Sequence, residues 1–364
     1  MRKTLFEQVR FICPRCRHAT REGIAQYPLK LDQVLEQEGD YILEGFLSCT
    51  NPECDSKYPV LQGVPIVLKD LKRWWHYEKS QLTHINCHSV EVRNFFKNLI
   101  IDDPLIYSER SLLSTYMELH YGSYDRIPDI LKSFADPEHF WNMAINMARL
   151  ASKTKYELSI DLGCSVGRYT YELAGFSNLA VGIDLNFNEV LMAAEFQRTQ
   201  KMSYDRKKYG KYFEKVQIPY IPMQNVLFLV SDTLDPPFGA ESFDLVSGLN
   251  VVDNVKLPLV LIGQMDAMLR QGGSLILGSP YEWRTDICEP EEWLESENMD
   301  APVMVRHILE GKIFSKMGLH YEILEELHDV PWTLRHHDRH WSAFLVHLIM
   351  ARKTQSINGH DDVV

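Results

Sequence analysis

The chain has 364 residues, a length that suits two or three domains of about 150 residues each. Hydrophobic residues make up 45% of it and charged residues 24%, which excludes a disordered chain, a collagen-like chain and a small disulfide-stabilised scaffold. The formal net charge of −12 gives no overall attraction to nucleic acid or to an anionic membrane, although a local basic patch could still bind a phosphate backbone.

The sequence gives no sign of a membrane partner. No apolar stretch approaches the roughly 20 residues that a membrane-spanning helix needs. Glu7 and Arg10 interrupt the N-terminus before an apolar run develops, which argues against a secretion signal. We therefore expect a cytoplasmic protein whose seven cysteines are reduced or metal-bound.

Two cysteine pairs lie close to the N-terminus. Cys13 and Cys16 form a CxxC pair, whereas Cys49 and Cys54 are separated by four residues. Four thiolates held by short turns can bind one tetrahedral Zn²⁺, and this binding would stabilise a module that buries little apolar surface. We predict a structural zinc, because four cysteine ligands leave no open position for catalysis. The alternative is four structural thiols without a metal.

The residues around these cysteines resemble a known module. The stretch FICPRC at residues 11–16 and the stretch YPVLQGVPIVL at residues 58–68 look like parts of a Trm112-type zinc ribbon. The resemblance covers residues 1–70 and implies a module that partners, or is fused to, a methyltransferase. It also implies that the ribbon could bind a protein partner.

Residues 71–155 are predicted to form a helical lid or substrate segment. Apolar residues recur there at spacings of three and four, among them Phe95, Leu99, Leu112, Tyr116 and Leu119. Asp-Pro pairs at residues 103–104 and 136–137 mark helix boundaries. We expect the tryptophans and phenylalanines of this segment to pack in the core. The alternative is that some of them roof a substrate pocket.

The strongest signal for chemistry follows residue 156. A short apolar strand ends in Asp161, and Gly163 and Gly167 follow before a helix-like segment. A strand, a glycine turn and a helix N-terminus form a site where backbone N–H groups meet a carboxylate or a phosphate, and we expect glycine where a Cβ would block the ligand. Dinucleotide-binding folds require GxGxxG, which this loop fails twice, at Ser165 and Arg168.

The loop instead resembles the motif of class I S-adenosylmethionine (SAM) methyltransferases, and the elements after it agree with that family. A second strand ends in an acid that could accept the ribose hydroxyls, a third precedes an acid for the adenine amino group, and a fourth precedes an asparagine for the methionine end. The resemblance implies a Rossmann-like α/β core over residues 156–353, followed by a flexible tail at 354–364. It implies that these residues bind the cofactor: Asp161, Gly163, Cys164, Gly167, Asp184, Asp232, Thr233 and Asn250.

Other segments of the core are less distinctive. Residues 201–215 interleave basic and aromatic side chains that could bind RNA, but a solvated helix with a few packed rings is the favoured interpretation. The sequence DPPF at residues 235–238 mimics the box of methyltransferases that modify exocyclic amines of bases. It precedes the fourth strand, so we interpret it as a loop. Residues 319–327 and 343–351 are predicted strands of a hairpin whose loop returns to the ligand side of the sheet.

The predicted hairpin loop, residues 328–341, is rich in His, Trp and Arg. Arg335 or Arg339 could hold a carboxylate in a bidentate pair, and a histidine could take a proton near neutral pH. His336 and His340 could chelate a metal if they were helical, although a solvated or stacking cluster is the favoured interpretation.

A second, looser resemblance concerns the acceptor. The residues HYG at 120–122, SPYEW at 279–283 and EEWL at 291–294 are similar to methyltransferases of ovothiol biosynthesis, which would act on the imidazole nitrogen of a mercaptohistidine. The intervening residues 284–290 depart from that pattern. The resemblance implies a small polar acceptor, histidine-like or carboxylate-bearing, and we predict catalytic roles on the acceptor side for His120, Tyr281 and His336.

The sequence as a whole predicts a class I SAM-dependent methyltransferase with a zinc-ribbon module and a helical lid, acting on a small molecule. Positioning and water exclusion would supply most of the acceleration, and a base is needed only if the acceptor is protonated. One alternative is an RNA methyltransferase, with a basic stripe formed by residues 201–215 and Arg15, Arg17 and Arg21. Another is a non-catalytic SAM-binding subunit, and the failed GxGxxG disfavours NAD-dependent oxidoreduction.

Overall fold

The computed structural model describes residues 1–20, 23–71, 73–74, 104–122, 127–132, 137–151 and 155–354. The predicted helical positions Phe95 and Leu99 lie outside the described residues, as do Arg21 and the tail from residue 355. Within the part of the chain that is described, no helix is both long and apolar enough to span a membrane.

The first 70 residues, here called the N-terminal module, are mostly β-structure. A short helix is followed by a two-stranded hairpin and by an antiparallel sheet of four strands in the order β3-β4-β5-β6. The bounds are α1 Lys3–Phe6, β1 His18–Thr20, β2 Gly23–Ala25, β3 Leu29–Glu38, β4 Tyr41–Cys49, β5 Lys57–Leu61 and β6 Val64–Pro65.

Two helices occupy the described part of the predicted helical segment, α2 (Pro104–Tyr121) and α3 (Pro137–Ala151). Both begin at the proline of an Asp-Pro pair, a position where the missing N–H and the fixed φ of proline cost nothing. The apolar positions of α3 recur at helical spacing and are buried, as Phe140, Trp141, Ala144 and Ala148 show. The predicted helices and the buried tryptophan are thus confirmed.

The remaining chain builds a seven-stranded sheet in the order β11-β8-β7-β12-β13-β15-β14. β15 runs antiparallel to its two neighbours, and the other strand pairs are parallel. Strand bounds are β7 Tyr156–Leu162, β8 Ser177–Asp184, β9 Met202–Tyr209, β10 Tyr212–Ile218, β11 Val226–Val230, β12 Phe243–Leu249, β13 Leu269–Ser279, β14 Tyr321–His337 and β15 His340–Lys353. Helix bounds are α4 Arg168–Ala174, α5 Phe187–Thr199, α6 Pro258–Met268 and α7 Ala301–Leu309. This mixed α/β fold with a mainly parallel sheet confirms the predicted fold class.

The expectation of a helix at residues 201–215 is wrong. β9 and β10 form an antiparallel hairpin in which Tyr209 pairs with Tyr212 around Gly210, whose φ is +47°. Along β9, Met202, Tyr204 and Arg206 are buried while the residues between them are more exposed. This alternation has the period of two that a strand requires.

The prediction of a loop at residues 328–341 is also wrong, because almost all of these residues lie in strands. β14 and β15 continue to His337 and from His340, so only two residues form the turn. Trp332 lies opposite Phe344, with ring centroids 5.4 Å apart, and aromatic cross-strand pairs of this kind stabilise a long ribbon.

The N-terminal module packs against the free edge of β11. Ile66 pairs with Val230 in a parallel bridge, and the Val67 N–H donates to the Val230 carbonyl at 2.8 Å. The segment 235–238 is a loop, as predicted, and the Arg17 guanidinium donates to the Asp235 carboxylate and to the Pro236 carbonyl. The module therefore covers a strand edge that would otherwise be open to pairing with another chain.

Candidate active site

A cavity of about 670 Å³ opens at the carboxyl ends of the central parallel strands. The loops after β7, β8, β12 and β13 line one end of it. Helices α2 and α3 and the outer parts of β14 and β15 line the other end. In open α/β sheets ligands bind at the carboxyl ends of the strands, so the position agrees with a substrate site.

Asp161 forms the floor of the first end. The Thr170 hydroxyl donates to its Oδ2 at 2.8 Å, and the Ser247 hydroxyl donates to its Oδ1 at 3.3 Å. Burial outweighs these hydrogen bonds and raises the pKa of Asp161 to about 7. The side chain lies at the end of β7, so a buried strand places it there.

Asp184 holds the loop between β7 and α4. The backbone N–H groups of Ser165 and Asn186 donate to its two carboxylate oxygens at 3.0 and 2.9 Å. Burial raises the pKa of Asp184, while these donors act in the opposite direction. Because each oxygen accepts one backbone donor and has a further lone pair, the carboxylate can still accept hydrogen bonds from a ligand.

The two loop glycines are required by packing rather than by ligand approach. Gly163 and Gly167 have φ values of +73° and +84°. A Cβ at Gly163 would lie 2.9 Å from the Val251 side chain, and a Cβ at Gly167 would lie 2.8 Å from the Phe228 ring and 2.9 Å from Ala193. The expectation that a Cβ there would meet the ligand is therefore corrected, because protein side chains fill that space.

Six of the eight predicted cofactor residues line the cavity, and two do not. Gly167 faces the core, and Asp232 lies beside the cavity, where its Oδ1 accepts the Leu234 N–H at 2.9 Å. Burial raises the pKa of Asp232. The lining residues are Asp161, Gly163, Cys164, Asp184, Thr233 and Asn250.

Asn250 supports the fit of a polar ligand at this end. Its backbone N–H donates to the Gly278 carbonyl at 2.7 Å and its φ is +54°. Its Oδ1 is buried without a hydrogen-bond partner among the described residues. Buried polar atoms in native proteins are almost always paired, so a ligand with an N–H or O–H group would complete this one.

The second end of the cavity has an aromatic wall. Trp332 and Phe344 contact each other across the β14-β15 ribbon, and Trp332 also lies 5.9 Å from Phe140, measured between ring centroids. Among the tryptophans and phenylalanines of the helical segment that were expected in the core, Trp141 is buried and also lines the cavity. The aromatic residues that line it are Tyr116, Trp141, Tyr169, Trp332 and Phe344.

His120 lies in this wall. Its ring is 4.9 Å from the Trp141 ring, and its Nδ1 is buried with no hydrogen-bond partner among the described residues. Burial, with a smaller contribution from the charge of Arg168, lowers the pKa of His120 to about 3. The imidazole is therefore neutral at pH 7, and its Nδ1 has no hydrogen-bond partner among the described residues.

His336 also lines the cavity, and its Nε2 lies 2.9 Å from the Ser342 hydroxyl. The ring stacks on His340 with centroids 4.2 Å apart. Burial and the neighbouring histidines lower the pKa of His336, so it too is neutral at pH 7. The two rings lie in opposite strands, which corrects the idea of a helical metal-chelating pair and agrees with a stacking cluster.

Tyr281 does not line the cavity, unlike His120 and His336. Its φ is +56°, and its hydroxyl lies 2.9 Å from His347 Nδ1, away from the residues that line the cavity. Arg335 is likewise turned inward, where it donates to Asp338 and to the Lys207 carbonyl. Neither side chain is placed to contact a ligand in the cavity.

Several charged residues of the cavity carried no signal in the sequence. Among the described residues that line it, Arg284 is the one Arg or Lys. Burial raises the pKa values of Glu189 and Asp253, and Asp253 accepts the Glu282 N–H at 2.9 Å. Their sequence surroundings are ordinary, and their placement depends on how the helix and the loops fold around the sheet. The lining carboxylates are Asp161, Asp184, Glu189, Asp253 and Glu282.

The four N-terminal cysteines come together as predicted, with sulfur atoms all within 4.8 Å of one another. The Cys16 and Cys49 sulfurs lie 3.7 Å apart. Four sulfurs at about 2.3 Å around a tetrahedral Zn²⁺ would lie about 3.8 Å apart, so the group fits such an ion. The backbone N–H of Asn51 points at the Cys49 sulfur at 3.4 Å, as donors to metal-bound thiolates do.

Three solved structures illustrate what the chain is similar to. NodS, an N-methyltransferase from Bradyrhizobium japonicum, is 19% identical, with 60% of this chain and 99% of that chain covered and a TM-score of 0.38. YcgJ from Bacillus subtilis is 12% identical, with 59% and 100% covered and a TM-score of 0.38. A chain from a complex between the Haloferax volcanii Trm112 methyltransferase activator and a methyltransferase is 16% identical, with 62% and 95% covered and a TM-score of 0.39.

None of these likenesses transfers a residue role to this chain, and no curated protein matches the sequence. Residues 160–277 match the family described as a methyltransferase domain. That range runs from β7 to β13 and includes the cofactor loop, Asp184, Thr233 and Asn250. The match thus covers about a third of the chain and identifies residues 160–277 as a methyltransferase domain, built on this mainly parallel α/β sheet.

Proposed function

We propose that this chain transfers a methyl group from SAM to a small, nitrogen-containing acceptor that binds between the aromatic wall and the cofactor loop. One observation carries the proposal: a single cavity joins the carboxyl ends of β7, β8 and β12 to the wall that contains His120 and His336. A cofactor and an acceptor bound in one cavity would be held close together and away from bulk water, which methyl transfer requires.

The first end of the cavity would hold the cofactor. Asp184 would accept hydrogen bonds from the ribose hydroxyls, Thr233 and the adjacent Asp232 would lie on the adenine side, and Asn250 would line the methionine end. Asp161, Gly163 and Cys164 would form the floor of this end, and Gly167 would keep the loop packed on Phe228 without touching the ligand. The bound SAM supplies an activated methyl group on a positively charged sulfur.

The second end favours a neutral or cationic acceptor. Aromatic faces stabilise cations and flat rings, and the residues of α2, α3, β14 and β15 that line this end include no Arg or Lys in the part of the chain that is described. Of the two arginines predicted to hold a carboxylate, Arg335 donates to Asp338 and to the Lys207 carbonyl, and neither Arg335 nor Arg339 lines the cavity. A histidine-like acceptor therefore suits the cavity better than a strongly anionic one.

His120 and His336 would position the acceptor. Both imidazoles are neutral at pH 7, since burial lowers both pKa values, and a neutral imidazole can accept a hydrogen bond from an N–H group. His336 is the better candidate to take a proton from a protonated acceptor, because the pKa of His120 is lowered to about 3. Tyr281 would have no role in this reaction, since it contacts His347 instead.

The RNA alternative loses support from the hairpin at residues 202–218. Arg206 pairs with Glu214 at 2.7 Å, and Lys207 donates to the Ser111 hydroxyl at 3.2 Å. Arg17 is held by the loop at residue 235. The charges of Arg206 and Arg17 are therefore partly neutralised within the chain, and Lys207 is held by a hydroxyl. A non-catalytic subunit is disfavoured because the acceptor end is open space rather than a sealed core.

The four N-terminal cysteines would hold a structural zinc. The module packs on the edge of the chain's own sheet, so the Trm112-type resemblance is best explained by fusion to the methyltransferase core rather than by a separate partner.

The test begins with calorimetry on the full chain. We expect S-adenosylhomocysteine to bind and NADH not to bind. The chain is then incubated with isotopically labelled SAM and a metabolite extract, and labelled products are sought in the small-molecule fraction. Binding of NADH in place of S-adenosylhomocysteine would refute the proposal. A label found only in RNA, or found nowhere, would favour the RNA methyltransferase or the non-catalytic subunit.

Once a labelled product is identified, two neighbouring histidines provide a matched pair. His336→Asn should lower kcat/KM by about 10-fold to 100-fold, the value of one to two polar contacts, with S-adenosylhomocysteine affinity unchanged. His337→Asn should leave both quantities unchanged, because His337 does not line the cavity. Equal effects of the two substitutions would contradict the proposed acceptor site.

A further inference from the structure

A second group of potential ligands lies on β14 and β15, outside the cavity. Glu326 and His328 lie on β14, and His347 lies on β15; we call them the ribbon triad. One carboxylate oxygen and two ring nitrogens, one from each residue, all lie within 4.8 Å of one another. We propose that the ribbon triad is a binding site for a divalent transition-metal ion of the Zn²⁺ class.

The distances suit such an ion. Glu326 Oε1 lies 3.0 Å from His347 Nε2 and 3.7 Å from His328 Nε2. Ligand atoms at about 2.0–2.1 Å from a tetrahedral Zn²⁺ would lie about 3.3–3.4 Å apart, between these two values. Small side-chain rotations therefore bring all three atoms to bonding distance of one ion.

The surroundings of His347 are those of a metal ligand. Its Nδ1 lies 2.9 Å from the Tyr281 hydroxyl, which can accept a hydrogen bond from Nδ1–H. Such a bond fixes the tautomer that leaves the Nε2 lone pair free for a metal, a role that carboxylates, carbonyls and water often play at zinc sites. Tyr281, which has no place in the cavity, thus has a role here.

The two oxygens of Glu326 face different partners. Oε2 accepts from the Arg306 guanidinium at 2.9 Å, so one oxygen is engaged and oriented. Oε1 faces the two histidines. Both imidazole nitrogens lie near the same oxygen, so an ion that displaces the contact between Oε1 and His347 Nε2 would meet all three ligand atoms.

The site is open on one side. The His347 side chain is 3% exposed and that of Glu326 is 12% exposed, whereas that of His328 is 56% exposed. An ion could therefore enter from solvent past His328, and water could complete its coordination. Two nitrogens and one oxygen are the ligand types of open zinc sites in proteins, which differ from the closed four-cysteine group of the N-terminal module.

The N-terminal cysteine group and the ribbon triad can be distinguished by counting the zinc ions that are bound per chain. The full chain is dialysed against Zn²⁺ and then against metal-free buffer, and zinc per chain is measured by mass spectrometry. His328→Ala and Glu326→Gln should each carry one zinc per chain fewer than the wild type. His139→Ala, which changes an exposed histidine on α3, should carry the same amount as the wild type. Circular dichroism checks that each variant is folded.

His328 is exposed, so its loss should not disturb folding, and Glu326→Gln keeps the shape of the side chain. If both variants are folded and hold as much zinc as the wild type, the ribbon triad is a hydrogen-bonded cluster and the proposal is wrong. The comparison does not depend on whether the N-terminal cysteines bind zinc or on any methyl transfer, because it measures a difference between variants.

Discussion

Gly167→Ala offers the sharpest test of how the cofactor loop is built. Gly167 has a φ of +84°, and an added Cβ would lie 2.8 Å from Phe228 and 2.9 Å from Ala193. A left-handed conformation costs a non-glycine residue about 1–2 kcal/mol, and overpacking a filled core costs about 1–3 kcal/mol more. We therefore expect Gly167→Ala to lower the free energy of unfolding by about 2–5 kcal/mol.

Gly272→Ala is the matched control. Its φ is +77°, and a Cβ there would have nothing within 4 Å, so it carries the backbone strain without the clash. Both substitutions reduce the entropy of the unfolded chain equally, so that effect cancels in the comparison. Gly167→Ala should thus be less stable than Gly272→Ala by about 1–3 kcal/mol, the cost of overpacking.

The assay is urea unfolding of both variants and the wild type, followed by tryptophan fluorescence, with the free energy taken from the midpoint and slope. A difference below about 0.5 kcal/mol, the usual scale of surface substitutions, would refute the reasoning. It would mean that Phe228 and Ala193 move to accommodate the added Cβ with little loss of unfolding free energy. The glycine would then be required for another reason, such as direct contact with a ligand.

Three further predictions concern the buried acid and the N-terminal module. Burial raises the pKa of Asp161 to about 7, so its protonated form stabilises the fold below about pH 4 and this contribution is lost as the pH rises through about 7. Asp161→Asn should therefore gain stability relative to the wild type between about pH 5 and about pH 8, by about 3 kcal/mol, measured by urea unfolding at both pH values. Cys13→Ser should release zinc, measured by mass spectrometry, and make the N-terminal module sensitive to protease, since metal binding would supply much of its folding energy. Arg17→Met should cost about 1–3 kcal/mol of unfolding free energy in urea, because it removes a partly buried charged contact to Asp235.

Each of these predictions has a control on the same chain. Cys288→Ala changes a buried thiol outside the cysteine group and should retain zinc. Arg15→Met breaks an exposed 3.6 Å ion pair and should change stability by less than about 0.5 kcal/mol. A pH-independent difference between wild type and Asp161→Asn would show that the carboxyl group is not perturbed as described. Equal effects at Arg15 and Arg17 would contradict the proposed docking contact.

The central sheet and the cysteine group could be predicted from the sequence. β11 is buried at every position, and its apolar run ends two residues before Asp232, so a local pattern defines it. The two cysteine pairs are each held by short turns, and metal-ligand chemistry then requires them to converge. These features depend on residues that are close to one another in the sequence, so they can be recognised without the tertiary structure.

The hairpin at residues 202–218 and the long ribbon could not be predicted in the same way. The buried face of β9 is stabilised by α2, where the Glu118 carboxylate accepts from the Tyr204 hydroxyl and lies 3.6 Å from the Arg206 guanidinium. The basic and aromatic residues of this stretch do not favour a strand by themselves, because the contact with Glu118 that stabilises the strand exists only in the tertiary structure. The same dependence on distant partners holds for Trp332 and Phe344 in the ribbon.

The sequence by itself determined the strands of the parallel core and the residue types that stand at their carboxyl ends. Only the tertiary structure decided which of those side chains reach the cavity. The Ser279 hydroxyl accepts the Tyr281 N–H and the Asp253 carboxylate accepts the Glu282 N–H, and these bonds hold the loop so that Tyr281 turns to His347. The direction of a side chain depends on backbone angles set by residues far apart in the chain, and no local pattern records them.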